Sequence, residues 1–182
     1  MSFLSFNLPP SSTGNGPRAV GSGQSDLSHL DESGTARMVD VTSKDVTKRI
    51  AVAAATVRTR RDVVAMISAN GLPKGEALGT ARVAGILAAK RTSELIPLCH
   101  PLAITGVEVD FAVGMPEDPG SVGVTATVYT TDRTGVEMEA LTAVSVAALT
   151  IYDMIKAVDR AARIDDIRVV RKEGGKTGPW VR

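Results

Sequence analysis

Three observations predict an α+β fold. Two runs that alternate apolar and polar residues, TGVEVDFAV and SVGVTATVYT, flank the turn-forming segment GMPEDPG and read as a hairpin. The stretch from Gly135 to Asp159, GVEMEALTAVSVAALTIYDMIKAVD, carries Leu141, Val144, Ala148, Leu149 and Ile151 at the three-and-four spacing of a buried helical face. Extended segments precede and follow this set, so the order reads β-α-α-β-β-α-β. With the two early helices taken as one crossover, that order is the ferredoxin-like split βαβ arrangement, an antiparallel sheet with its helices on one face.

Taken in order, the first element is preceded by MSFLSFNLPPSSTGNGPRAVGSGQSD, dense in Ser, Gly, Pro and Asn and without apolar periodicity. Residues 1–27 are therefore expected to be a disordered, dispensable extension, and residues 28–182 a single domain. No positive charge precedes the short FLSF run, and Asn7, Pro9 and Pro10 interrupt the region where a longer apolar segment should be, which argues against a signal peptide. KRIAVAAATVRT, from Lys48, alternates in part and reads as a strand. TRRDVVAMISANG reads as a short amphipathic helix with Thr59 as N-cap and Gly71 at the stop. After the GLPKG loop a second helix is expected from about Glu76 to Arg91, with Ala81, Gly85 and Ala88 on a close-packing face. The hairpin follows, with strands near Val107–Val113 and Val122–Tyr129. A long helix is then expected from about Glu139 to Ala161, and IDDIRVVRK closes the domain as a strand with Ile167, Val169 and Arg171 on one face.

Composition narrows the function classes. A chain of 182 residues suits one domain. A net charge of +1 with 3% aromatic residues lacks the basic stripe and stacking platforms of a nucleic-acid surface. The single cysteine excludes an internal disulfide and suits a reducing cytoplasm. The most apolar stretch contains Glu139 and Asp153, so no membrane span is expected and the protein reads as soluble.

Several residues stand out as chemistry-bearing. Asp153 and Lys156 lie three apart on an apolar helix beside Tyr152, Met154 and Ile155, and Glu137 and Glu139 lie at its start. Two readings stand for the pair: an ordinary ion pair on a helix surface, or a proton-transfer couple facing a cleft or another chain. In LIPLCHPL, Pro97 and Pro101 bracket His100 in a stiff loop, a candidate for acid-base work or substrate contact, or a histidine that only satisfies its own loop. Cys99 beside it reads as a small buried hydrophobe more than as a nucleophile. No metal is expected, because there is no Cys-x-x-Cys or His-Glu-x-x-His pair and His29 lies at the tail junction. RKEGGKTG joins Lys172 and Lys176 to glycines that suit phosphate binding, or is simply a solvated tail. It is not a P-loop: the first glycine would fall at Val170, and no helix follows. Lys74 in GLPKG adds another lysine beside glycine, a set that would agree if the substrate were anionic.

LIPLCHPL, TGVEMEALTAVSVAALTIYDMIKAVD and KEGGKTG, in that order and separation, resemble the cyclic pyranopterin monophosphate synthases of molybdenum-cofactor biosynthesis. The resemblance covers roughly Leu30 to Trp180, including the MVDV segment from Met38. It implies a cytoplasmic lyase without cofactor that converts 3′,8-cyclo-7,8-dihydro-GTP to the pyranopterin and releases pyrophosphate. It also implies a ferredoxin-like fold in hexamers built from dimers, with sites at the dimer interface. By position, Asp153 matches a catalytic aspartate, Lys74 and Lys156 match lysines of the site, and Leu98, Cys99, His100, Met138 and Glu139 match substrate-contacting segments. Lys172 and Lys176 match mobile C-terminal lysines. Leu72-Pro73 and Thr177 depart from some relatives, which carry polar residues and a serine there. A non-catalytic pterin- or nucleotide-binding homologue, acting as regulator or assembly partner, is the alternative, and a purely structural oligomer a third.

Overall fold

The computed structural model describes residues 35–176 and 178–182, so the expected extension over 1–27 lies outside the described residues. The elements are β1 (Thr47–Arg58), α1 (Arg61–Ser68), α2 (Ala77–Ala89), the single turn α3 (Thr92–Leu95), β2 (Ile104–Met115), β3 (Asp118–Asp132), α4 (Glu137–Ile155), β4 (Arg163–Glu173) and β5 (Trp180–Val181). The sheet is antiparallel throughout in the order β2-β3-β1-β4-β5. Strands adjacent in sequence form the β2-β3 hairpin, and β1 is drawn between β3 and β4 by the two crossovers. That is the ferredoxin-like α+β fold expected from the order of elements.

β1 is central because its side chains are small and alternate cleanly. Ala51, Ala53, Ala55 and Val57 face the helices and are buried, matched across the ladder by Val128, Ala126, Val124 and Val122. On that face α4 lies flat. Ala140, Ala143, Val144, Ala147, Ala148, Ile151 and Ile155 are fully buried, and each larger side chain contributes about 1.5–3 kcal/mol. α2 packs alongside through Gly85, where an added Cβ would stand 3.0 Å from the Ala143 carbonyl oxygen and 3.3 Å from the Ala147 Cβ. Gly85→Ala would therefore press the two helices apart. α4 is long and apolar enough to cross a membrane, yet here it is the helix packed on the sheet.

Several expectations need correction. Thr59 does not cap α1: Arg60 occupies that position, and the Thr59 hydroxyl donates to Asp159 instead, at 2.6 Å. The left-handed residue after α1 is Asn70 (φ 53), not Gly71, which suits the local hydrogen bonding of a short amide side chain. α4 stops at Ile155 rather than Ala161, because Asp159 draws the next turn toward β1 by accepting from Thr59, Arg60 N–H and Ala161 N–H. Leu149, expected on the buried face of α4, is 57% exposed. In β4 the register against β1 shifts twice and Asp166 takes φ 57, so Ile167 is turned out to solvent rather than sharing a face with Val169.

Candidate active site

The chemistry-bearing side chains collect at the two ends of α4. At its C-terminal end, Asp153 and Lys156 share the last turn, and the loop after α1 delivers Lys74 to the same carboxylate. Leu72 is buried and anchors that loop, and Gly75, with φ 86, turns it toward α2. Lys74 Nζ stands 2.6 Å from Asp153 Oδ2 and Lys156 Nζ 2.6 Å from Asp153 Oδ1. The two ammoniums, Lys156 first and then Lys74, hold the Asp153 carboxyl down at about 2, and Asp153 in turn raises Lys156. The pair lies open to water, as a surface ion pair would: the side chains of Asp153 and Lys156 are each 51% exposed and that of Lys74 is 40% exposed. With two lysines on one aspartate, the triad carries one net positive formal charge.

At the N-terminal end, the loop bearing Leu98, Cys99 and His100 folds over the first turn of α4 and meets Met138 and Glu139 across a pocket of ≈ 320 Å³. Val39 and Val41 of the MVDV segment close its far wall. Glu139 is 4% exposed and accepts from its own backbone N–H. Burial, reinforced by Glu137 beside it, pushes its carboxyl up. The same burial and the nearby Glu139 raise the Cys99 thiol, which leaves it protonated and a poor nucleophile. Glu139 and Asp153 are fourteen residues apart, about 21 Å along the axis at nearly the same angle. One is buried and the other wet because only the first turn of α4 is covered by the 98–100 loop.

The pocket runs on, through Lys44, Thr134, Gly135 and Glu137, into a cleft of ≈ 590 Å³. Lys44, Arg49, Arg133, Lys172 and Lys176 line it against the acids Asp45, Glu137 and Glu173. Arg49, 9% exposed, donates to the main-chain carbonyls of Asp132 and Arg133. Arg133 donates to the Lys44 carbonyl at 3.0 Å, and Lys172 pairs with Glu137 at 3.3 Å. An open, cation-rich cleft of this size suits a polyphosphate-bearing molecule. Sequence reasoning placed Lys172 and Lys176 here but missed Lys44, Arg49 and Arg133. Their signal was weak: single basic residues near strand ends, Lys44 before β1, Arg49 in its first residues and Arg133 just after β3, are ordinary surface features until the strands pair. RKEGGKTG begins as the end of β4, and beyond it the chain returns along β4 as the two-residue strand β5.

Lys74, Asp153 and Lys156 thus form one group, and Leu98, Cys99, His100, Met138, Glu139, Lys172 and Lys176 another, at opposite ends of one helix. Among the described residues no group of His, Cys, Asp and Glu is arranged to hold a metal ion.

Comparison with known proteins accounts for the motif pattern. The sequence profile of the MoaC family matches residues 38–175. The cyclic pyranopterin monophosphate synthase 2 of Mycobacterium tuberculosis is 69% identical over 157 residues, 86% of this chain and 92% of that protein. The cyclic pyranopterin monophosphate synthase of Nocardioides sp. is 64% identical over 156 residues, 86% of this chain and 95% of its own. That of Streptomyces coelicolor is 58% identical over 168 residues, 91% of this chain and 96% of its own.

Proposed function

The chain belongs to the MoaC family, and on that premise we propose that it is a cyclic pyranopterin monophosphate synthase, a lyase of molybdenum-cofactor biosynthesis. Its substrate is 3′,8-cyclo-7,8-dihydro-GTP, whose purine five-membered ring opens and closes again as a pterin. A sugar hydroxyl displaces pyrophosphate from the α-phosphate, so one P–O bond forms as another breaks. The observation that carries the reading is the triad: Lys74 and Asp153 are 79 residues apart in sequence yet meet at 2.6 Å, with Lys156 on the carboxylate's other oxygen.

The triad's charge state suggests how it works. With both ammoniums on it, Asp153 is too weak a base to take a proton at neutral pH. A phosphate oxygen competes for the same ammoniums, and as Lys74 and Lys156 turn toward it the carboxylate regains basicity. Substrate binding therefore arms Asp153, while the lysines stabilise the charge on the leaving pyrophosphate. In the cleft, Lys172 and Lys176, with Lys44, Arg49 and Arg133, hold the rest of the triphosphate. In the adjoining pocket His100 and Glu139 orient the base or sugar, with Leu98, Cys99 and Met138 forming its apolar wall.

The two groups lie too far apart to close on one substrate within a chain, so each site takes one group from each of two chains related by a two-fold axis. Exposed Met138 and Leu149 on α4, with Val83 and Leu87 on α2, give a second copy an apolar surface to cover. A homo-oligomer, a hexamer built from such dimers, is the assembly this reading favours. The cytoplasm, where GTP-derived substrate is made, is its compartment. The test is direct: purified protein is incubated with the cyclised GTP, and pyrophosphate and the oxidised, fluorescent pterin are measured. A folded protein that releases no pyrophosphate would sink the assignment and leave a binding-only homologue.

A further inference from the structure

We propose that the C-terminal residues Trp180 to Arg182 are a clasp that positions Lys172 and Lys176 over the cleft, and so set the site's affinity for polyphosphate. The proposal rests on the reading of that cleft as the triphosphate site. β4 and β5 form a closed hairpin in which Trp180 stands opposite Lys172 and Val181 opposite Arg171. Beyond the hairpin, Arg182 N–H donates to the Val170 carbonyl at 3.0 Å and Arg182 Nε to the Val169 carbonyl at 3.3 Å. Its guanidinium also lies over the Trp180 ring, 6.0 Å from the centroid.

These contacts pin the far end of the segment that carries Lys176. Its near end is shaped by glycines. Gly174 and Gly175 take φ 89 and 83, and a Cβ on either would collide with the Lys48 carbonyl or the Arg49 guanidinium. The segment is thereby wrapped on the start of β1, with Lys176 on the same cleft as Arg49. Cut after Pro179, it would be a free tail, and the entropy of ordering it would be charged against every binding event. β5 is two residues long, sits at the edge of the sheet and leaves Trp180 and Val181 largely exposed, so it adds little to the stability of the domain. Its effect falls on the lysines.

The experiment compares the full chain with one ending at Pro179, in calorimetric titrations with inorganic pyrophosphate and in turnover of the cyclised GTP. The shortened chain is expected to bind pyrophosphate about tenfold more weakly and to show a matching rise in KM. Its kcat is expected to stay within about twofold and its Tm within about 2 °C. Trp180→Phe in the full chain keeps a ring under Arg182 and retains near wild-type affinity. Full pyrophosphate affinity in the shortened chain, with or without a fall in Tm, overturns the clasp alone. Absence of pyrophosphate binding by the full chain overturns the phosphate reading and the clasp with it.

Discussion

Glu139→Gln should stabilise the protein while impairing it, and the size of the effect follows from the environment of that one carboxylate. Glu139 is 4% exposed, and among the described residues it forms no ion pair with a cation; its first turn also carries Glu137. Keeping it ionised there costs about 1–2 kcal/mol of desolvation, which the neutral amide of the same shape avoids. In a chain of this size that corresponds to a rise in Tm of about 2–8 °C. The pH dependence has a definite sign. A carboxyl whose folded pKa is raised holds its proton longer in the folded chain, so stability is highest at acid pH and falls as pH rises from the ordinary glutamate value of 4.5 through the folded value. The glutamine variant should therefore gain most at pH 8 and lose its advantage near pH 4.5. Scanning calorimetry of both proteins across that range measures it, with turnover expected to fall about tenfold in the variant. A variant that melts lower than the parent at pH 8, or a difference that does not change with pH, would refute the account of Glu139 as a destabilised carboxylate kept for the site.

Three further outcomes are expected. Asp153→Asn keeps the side-chain shape at an exposed site, so it should fold and assemble normally while turnover falls about 100-fold or more; undiminished turnover would remove Asp153 from the chemistry. Asp159→Ala leaves the Thr59 hydroxyl and two backbone N–H groups without their acceptor, so it should lower stability by about 2 kcal/mol at neutral pH. The Thr59 hydroxyl first of all depresses the Asp159 pKa, so this deficit should shrink as pH falls through that lowered value, which denaturant titrations at pH 7 and pH 3 would reveal. Reassembled mixtures of inactive Asp153→Ala and inactive His100→Ala chains should recover up to about a quarter of full activity per random dimer. Because Lys74 and Asp153 meet within one chain, Asp153→Ala mixed with Lys74→Ala should recover nothing; activity there would contradict the in-chain triad.

Residue pattern alone determined most of the fold and supplied the candidate residues of the site. Alternation in β2 and β3, the apolar periodicity of α4 and the alanine-rich β1 are local properties, each written in side-chain type and period, and their order admits few packings. The long motifs around His100, Asp153 and Lys176 were likewise legible as chemistry. What period could not decide is which side of an apolar helix water reaches. Glu139 and Asp153 share nearly one angle on α4, yet one is covered by the 98–100 loop and the other left wet, so their carboxyls shift in opposite directions. Nor could it decide that Thr59 turns from α1 to Asp159, that Lys74 joins Asp153 in one chain, or that Arg49, Arg133 and Lys44 converge with the C-terminal lysines. Each of these pairs residues far apart in sequence, and their meeting is set by strand register and helix crossing. Local preference reports the period of a segment, whereas burial, charge pairing and pKa depend on neighbours that only the folded chain supplies.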